Sequence, residues 1–233
     1  MDKISFLVEL NRRGVTCDKD QLELLWNFMD HVLATNEKFN LTAIKDKDAF
    51  VEKMLFDSAL LLSGSNFEGQ EIVDLGCGAG FPSVVLSILV PSLHVIALDS
   101  TAKKINFVQD YAKAHQLNID AVCARAEDYA RTHLENFSFV TARAVASLPI
   151  LLELAIPMLK VGGTFIAMKG PGYEEEMQMA KNALRKLNAE IIYIYEDTLP
   201  ESHESRSLIY IRKNGPSPKK YPRSYAEIKN NPL

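Results

Sequence analysis

A glycine-rich turn in the first half of the chain contains the residues best suited to do chemistry. The segment EIVDLGCGAGFPSVVLSIL places an acid before three alternating glycines: Asp74, Gly76, Gly78 and Gly80. Such a turn lets backbone N–H groups approach a nucleotide. A dinucleotide-binding turn needs G-x-G-x-x-G, and counting from Gly76 the third glycine is replaced by Phe81. S-adenosylmethionine (SAM) has no phosphate, and its ammonium group suits an acid, directly or through water. The turn therefore favours SAM over NAD.

The ends of the next two apolar segments supply further candidate contacts. Asp99 ends HVIALD, where a carboxylate can accept both hydroxyls of a ribose, in SAM and NAD alike. In ARAED, the Ala126 backbone and the side chain of Glu127 or Asp128 are candidates for the adenine edge. Acids at the start of a helix are also favourable without a ligand. Because the carboxyl ends of adjacent parallel strands meet at one edge, these residues predict a single nucleotide site.

Two cationic side chains follow the fourth and fifth predicted strands. Arg143, in TARAVASL, can hold the SAM carboxylate or an RNA phosphate with its guanidinium fork. The structural alternative is an ion pair with an acid such as Glu127. Lys169, in AMKGP, is predicted to line the target pocket, and an ordinary loop lysine is the alternative. Arg143 and Lys169 are the candidate catalytic residues.

Strands that alternate with helices must position these residues. Apolar strands and amphipathic helices alternate from the glycine turn onward, and the last two strands, AEIIYIYED and SRSLIYIRK, are close together. This pattern predicts an α/β fold with a doubly wound, mostly parallel, seven-stranded Rossmann-like sheet and an antiparallel hairpin at one edge. We expect an N-terminal helical extension at 1–64, a SAM-binding core at 65–213 and a basic C-terminal tail at 214–233. Asp18 and Gln21 resemble a capping box.

Composition limits the function classes. The chain has 233 residues, a net charge of −4 and 47% hydrophobic residues, which fits one substantial globular domain. Its three cysteines are far apart, and no His/Cys spacing predicts a metal site. The N-terminus lacks a signal-peptide pattern, and the most apolar stretch is interrupted by proline and glutamate. We therefore expect a cytoplasmic protein without metal or membrane contact, and nothing demands more than a monomer.

The C-terminal end is basic although the whole chain is acidic. From Arg206 onward there are seven Lys or Arg residues and one acid. Such an asymmetry can steer an anionic partner, and a solvated tail is the alternative. The predicted RNA-binding residues are Lys213, Lys219, Lys220 and Arg223. Tyr221 and Tyr225 are predicted to be available for stacking on bases.

The sequence resembles the small-subunit ribosomal RNA guanine-N7 methyltransferases, also called glucose-inhibited division protein B or RsmG. The resemblance rests on DLGCGAGFPSVVLSI, LDSTAKKINF, ARAED, TARAVASL, AMKGP and IRKNGPSPKKYPR, with KFNLTAI and KMLFDS nearer the N-terminus. It implies SAM contacts at Gly76, Phe81, Ala126, Glu127 and Arg143. It also implies a class I SAM-dependent methyltransferase whose substrate is 16S ribosomal RNA or the small ribosomal subunit, with one guanine of the 530 loop as target. The family usually has glycine at Ser83 and often arginine at Lys104.

The lack of an evident general base suits this reaction. Guanine N7 has an accessible lone pair and no proton, so it needs in-line placement, which can be worth roughly 7–11 kcal/mol. Methylation of an exocyclic amine often goes with an Asn/Asp-Pro-Pro-aromatic loop, where this chain has ARAVASLP. Methylation of a pyrimidine carbon needs a cysteine nucleophile, and neither Cys77 nor Cys123 is well placed. Two alternatives remain: a SAM enzyme acting on a small molecule or protein, and a non-catalytic SAM- and RNA-binding ribosome assembly factor.

Overall fold

A single seven-stranded sheet forms the centre of the computed structural model, which describes all residues from Met1 to Leu233. The strands are β1 (Glu71–Leu75), β2 (His94–Asp99), β3 (Ile119–Cys123), β4 (Phe137–Arg143), β5 (Leu159–Lys169), β6 (Ala189–Thr198) and β7 (Ser205–Lys213). Their order is β3-β2-β1-β4-β5-β7-β6. Neighbours among the first five strands are parallel, whereas β7 is antiparallel to both β5 and β6. The predicted α/β fold with a mostly parallel sheet is confirmed.

The N-terminal region is helical, as predicted, and packs on the rest of the protein. Its elements are α1 (Lys3–Arg12), α2 (Lys19–Asn36), α3 (Lys47–Phe50), a π-helical turn (Val51–Phe56), α4 (Asp57–Ala59) and a 3-10 turn (Leu60–Gly64). The predicted capping box begins α2, because the Gln21 N–H donates to the Asp18 carboxylate at 2.8 Å and the Asp18 N–H donates to Gln21 Oε1 at 2.9 Å. On the buried face of α2, the Phe28 ring lies 5.0 Å from the Phe81 ring. The N-terminal helices therefore support the residue that follows the glycine turn.

The remaining helices flank the sheet. They are α5 (Ser83–Leu89), α6 (Ala102–Ala114), α7 (Ala126–Thr132), α8 (Leu148–Ala155), α9 (Tyr173–Met179), α10 (Lys181–Lys186) and α11 (Tyr225–Asn230). One helix was expected after β5, but the buried Ala180, with ψ −8°, separates α9 from α10. No helix is both long and apolar enough to cross a membrane.

Residues 214–233, which the sequence predicts to be a basic tail, are folded. Tyr221 and Ile228 are buried in the same core cluster as the apolar residues of α8. A capping box begins α11, in which the Glu227 carboxylate accepts from the Ser224 N–H at 3.1 Å. The segment is therefore part of the packed structure.

The last strand lies inside the sheet. β7 pairs with β5 on one side and with β6 on the other, so β6 is the edge strand. Leu208, Ile209 and Ile211 of β7 are buried, as expected for a strand covered on both faces. By contrast, Ile192 and Tyr193 of β6 are exposed.

Candidate functional site

The glycine turn after β1 is held against the end of β2. The Gly76 N–H donates to the Leu98 carbonyl at 2.7 Å, and the Gly78 N–H donates to Asp99 Oδ2 at 3.1 Å. Gly76 has a φ of +78°, and a Cβ built on it would lie 2.5 Å from a Val145 methyl group. Both the backbone conformation and the close approach therefore require glycine at this position.

Asp74, the acid before the turn, is fully buried. Its Oδ2 accepts hydrogen bonds from the N–H and the hydroxyl of Ser83, so it fixes the start of α5. Asp74 Oδ1 has no partner. Burial raises the pKa of Asp74 to about 6. Oδ1 is therefore the Asp74 oxygen left for the predicted interaction with an ammonium group, although Asp74 does not line any of the three cavities described next.

Two adjoining cavities lie at the carboxyl edge of the sheet. The first has a volume of about 130 Å³ and is lined by Asp99, Ala126 and Glu127, among others. The second has a volume of about 290 Å³ and is lined by Gly76, Gly78 and Phe81, among others. Gly76 borders both cavities. The structure therefore brings most of the predicted cofactor residues together, at the place where open α/β sheets bind ligands. Asp74 and Gly80 line neither cavity.

A third cavity, of about 620 Å³, continues from the second and is called the acceptor cavity below. The second cavity and the acceptor cavity are both lined by Arg143, Ala144 and Val145. Val145 also borders the first cavity. Ala144 has a φ of +54°, a conformation that is strained for a residue other than glycine. The acceptor cavity also contains the predicted Lys169 and, in addition, Arg206. The loop after β4 is thus the wall that all three cavities share.

At the first cavity, Ala126 and Glu127 begin α7. Glu127 is only 6% exposed, and its Oε1 lies 3.3 Å from Arg125 Nε. Its Oε2 is buried and has no partner. An amine of a ligand is a group that could donate a hydrogen bond to this oxygen.

At the second cavity, Phe81 is fixed by aromatic neighbours. Its ring lies 5.0 Å from that of Phe28 and 5.5 Å from that of Phe50. The Arg143 guanidinium lies 5.6 Å from the centre of the Phe81 ring, within the range of a cation–π contact. Gly80, the third glycine of the turn, has φ +95° and is the closest of the three to this aromatic cluster.

Arg143 takes part in a network of buried charges. Its Nη1 donates to the Lys53 carbonyl at 3.0 Å and lies 3.4 Å from Asp57 Oδ2. Asp57 Oδ1 in turn accepts from Arg206 Nε at 3.1 Å. The acid that pairs with Arg143 is therefore Asp57 rather than Glu127. Arg143 Nε is buried and has no partner, so its N–H is free to donate to a ligand.

Lys169 joins β5 to the loop that precedes α8. Its ammonium group donates to the Ala146 carbonyl and to Glu176 Oε2, each at 2.7 Å. The same Glu176 oxygen accepts the Leu148 N–H at 2.6 Å. With a side chain only 10% exposed, Lys169 is a fixed part of the acceptor cavity rather than an ordinary loop lysine.

The predicted RNA-binding residues divide into two groups. Lys219 and Lys220 are exposed. Lys213 is fully buried, donates to the Leu159 carbonyl at 2.8 Å and lies 3.2 Å from Glu135, so its charge does not reach the surface. Its pKa is lowered because burial disfavours the charged ammonium. The prediction for Lys213 was wrong.

Two more residues of the basic end are engaged by the protein. The Arg223 guanidinium binds the buried Glu153 carboxylate, with Nη2 and Oε2 2.6 Å apart. Tyr221 is only 4% exposed, which removes it as a stacking platform. Tyr225 lines the first cavity instead. Lys213, Tyr221 and Arg223 are therefore built into the fold, whereas Lys219 and Lys220 remain exposed.

Sequence reasoning missed Asp57 and Arg206, which meet in the acceptor cavity although 149 positions separate them. The one local signal is in KMLFDS, where a charged residue falls among buried apolar neighbours. It missed Val145 as well, because nothing in ARAVASL shows that this side chain lies against Gly76.

The unpartnered atoms at these cavities have the chemistry that SAM needs. Glu127 Oε2 at the first cavity is an acceptor, and Arg143 Nε at the second is a donor. Asp74 Oδ1 is a further acceptor, but Asp74 lines none of the three cavities. SAM carries an ammonium group and an adenine amine, which donate, and a carboxylate, which accepts. Asp99 borders the first and second cavities, where its carboxylate can accept from hydroxyl groups such as those of a ribose. The residues present therefore fit SAM, and no group of three or more His, Cys, Asp or Glu side chains is placed to hold a metal ion.

The family model for rRNA small subunit methyltransferase G, GidB, matches residues 21–204. The chain belongs to this family. It is 43% identical to the ribosomal RNA small subunit methyltransferase G of Deinococcus radiodurans, over 86% of this chain and 81% of the relative. It is 40% identical to the protein of that name from Halalkalibacterium halodurans, over 100% of both chains. As a member of the GidB family, the chain is a SAM-dependent ribosomal RNA methyltransferase.

Solved structures confirm the fold of this GidB-family chain. A SAM-dependent methyltransferase from Aquifex aeolicus superimposes with a TM-score of 0.54 at 16% identity, covering 77% of this chain and 98% of that one. TYW2 from M. jannaschii, in complex with AdoMet, gives a TM-score of 0.52 at 16% identity, covering 64% and 71%. The predicted class I methyltransferase fold is confirmed.

Proposed function

We propose that this protein methylates N7 of one guanine in the 530-loop region of 16S ribosomal RNA. The observation that carries the proposal is that the acids of the acceptor cavity, Asp57 and Glu176, are already paired with cationic side chains. Both carboxylate oxygens of Asp57 face arginines, and Glu176 holds Lys169. No carboxylate there is free to serve as a base, and guanine N7 needs none because it carries a lone pair and no proton.

Methylation of a pyrimidine carbon is disfavoured by the same residues. That reaction needs a cysteine thiolate as nucleophile. Cys77, which lines the second cavity, is buried, and burial raises the pKa of its thiol well above the ordinary value. Cys123 ends β3 and lines none of the three cavities.

SAM supplies the methyl group, and the chain's own residues bind and orient the reactants. Gly76, Phe81, Asp99 and Glu127 are proposed to hold the cofactor in the first two cavities. Arg143 borders both the cofactor and acceptor cavities, where its free Nε can bind the carboxylate of SAM or an RNA phosphate. Lys169 maintains the shape of the acceptor cavity through Glu176. Such preorganised positioning is worth roughly 7–11 kcal/mol.

RNA contact is proposed for Lys219 and Lys220, the two predicted residues whose ammonium groups are exposed. Phosphate contacts release counterions, so RNA affinity should fall as salt rises, by roughly 0.7–0.9 log units per contact for each tenfold increase. The proposal places the enzyme in the cytoplasm and needs only one copy of the chain.

Methyl transfer to defined RNA tests this proposal. Labelled SAM is incubated with the protein and small ribosomal subunits, or their RNA, from cells that lack this gene. The RNA is then digested, and the labelled nucleoside and its position are identified by mass spectrometry. Label in 7-methylguanosine at one site supports the proposal. Label in another nucleoside, or no label from a protein that binds SAM, contradicts it.

A further inference from the structure

The first cavity has one wall from a distant part of the chain. Gly76, Asp99 and Glu127 come from elements at the start of the methyltransferase core, whereas Tyr225 is the first residue of α11. The family model ends at residue 204, well before Tyr225. The cavity is therefore incomplete without the C-terminal segment.

Several contacts hold this segment in place. The Arg223 N–H and Nε donate to Glu153 Oε1 at 2.9 and 2.8 Å, and Arg223 Nη2 also donates to the Asn231 carbonyl at 3.0 Å. Tyr221 and Ile228 are buried on either side of Tyr225 in sequence. The position of Tyr225 is thus fixed from both ends, so the ordering of this wall does not have to accompany ligand binding.

Charge and aromatic surface converge beside Tyr225. The Arg125 guanidinium lies 4.4 Å from the centre of the Tyr225 ring, a cation–π distance. Arg125 also lies 3.3 Å from Glu127 Oε1, and Glu127 Oε2 is the buried acceptor without a partner. Val145 and Leu154 add apolar surface to the same cavity. An aromatic ring, an apolar wall and a free acceptor suit a flat heterocycle that carries an amine.

We propose that Tyr225 forms part of the wall against which the adenine of SAM binds, and that residues 221–230 belong to the cofactor site. This inference rests on the SAM-dependent function. The ring of Tyr225, which already lies against the Arg125 guanidinium, is the part proposed to contact the base. The wall contributes surface rather than a reacting group, which makes Tyr225 a binding residue.

Calorimetry with two ligands tests the inference without relying on activity. S-adenosylhomocysteine contains both the amino acid and the adenosine, whereas 5′-methylthioadenosine retains only the adenosine part. Contact between a base and an aromatic ring is worth about 1–3 kcal/mol, and each 1.4 kcal/mol is tenfold. Tyr225→Ala should therefore weaken both ligands by the same factor, roughly 5- to 140-fold. Tyr225→Phe should bind both ligands as the wild type does.

Control variants separate this role from simple packing. Tyr193→Ala removes an exposed tyrosine from β6 and should leave both affinities unchanged. Tyr225→Leu keeps apolar volume if the alanine variant does not fold, and it should still weaken both ligands. Unchanged affinity in the folded Ala or Leu variant overturns the inference. If the wild type itself binds neither ligand, the SAM-dependent function fails and the inference fails with it.

Discussion

Replacing Arg223 with alanine is expected to destabilise the whole fold rather than RNA binding alone. Arg223 donates to Glu153 through its backbone N–H, Nε and Nη2, at 2.9, 2.8 and 2.6 Å. The Glu153 side chain lies in α8 and is 0% exposed, whereas that of Arg223 is 19% exposed. The carboxylate in turn raises the pKa of Arg223. Alanine would therefore leave a fully buried carboxylate without its counter-charge.

The magnitude follows from the burial of Glu153. Removing one partner of a buried ion pair typically costs about 3–5 kcal/mol of unfolding free energy. For a chain of this size each 1 kcal/mol lowers the melting temperature by about 2–4 °C, so Arg223→Ala should lower it by roughly 6–20 °C. Replacing both partners with leucine should cost much less, because no charge then remains buried.

Urea and thermal denaturation of Arg223→Ala, Glu153→Leu and the Glu153→Leu/Arg223→Leu double variant measure these free energies. Lys220→Ala is the matched control, because it removes an exposed positive charge from the same segment. The reasoning is refuted if Arg223→Ala lies within about 1 kcal/mol of the wild type. It is equally refuted if the double variant loses as much as the two single variants together.

Three further predictions concern the cofactor turn and the RNA surface. Gly76→Ala should abolish calorimetric binding of S-adenosylhomocysteine, because the new Cβ would lie 2.5 Å from Val145 at a φ of +78°; retained binding would contradict this. The folded pKa of Asp74, about 6, exceeds its ordinary 3.8, so the folded state holds this proton more tightly. Its contribution to stability is then full below about pH 4 and lost as the pH rises through about 6, at most about 3 kcal/mol, and Asp74→Asn should lack this loss in denaturation curves across that range. Lys219→Ala/Lys220→Ala should weaken RNA binding and make the plot of log affinity against log salt concentration shallower by roughly 1–2 log units per tenfold salt. The control Lys19→Ala/Lys113→Ala, which removes two exposed lysines from α2 and α6, should change neither.

The glycine turn and the sheet were predictable because their signals are local. Asp74, Gly76 and Phe81 lie within eight positions of one another, and the strand–turn–helix pattern fixes which sheet edge they occupy. Asp99 ends the next strand, so parallel pairing brings it to the same edge. Backbone periodicity alone is enough for this part of the site.

The fate of individual charges was not predictable, because it depends on partners far along the chain. In the sequence Lys213 is one more basic residue of a polar end. In the structure its ammonium group donates a hydrogen bond to the carbonyl of Leu159, 54 positions away. Arg223 is matched to Glu153 across 70 positions. A charge asymmetry in the sequence measures composition, whereas exposure is decided by tertiary packing.

The charge network of the acceptor cavity was missed for the same reason. Arg143 was identified from its strand end, yet its acid is Asp57, supplied by an N-terminal helix whose role the sequence left open. Arg206 joins them from β7. Three elements that are remote in sequence thus build one charge network, and no spacing rule connects them.

The place of β7 within the sheet has a consequence for synthesis of the chain. β5 and β6 are complete before residues 205–213 emerge from the ribosome, yet the strand that lies between them is made last. Until then the β5 edge has open backbone donors and acceptors, the kind of surface that pairs with other chains. The seven-stranded sheet of the nascent protein therefore cannot be completed until its final strand is available.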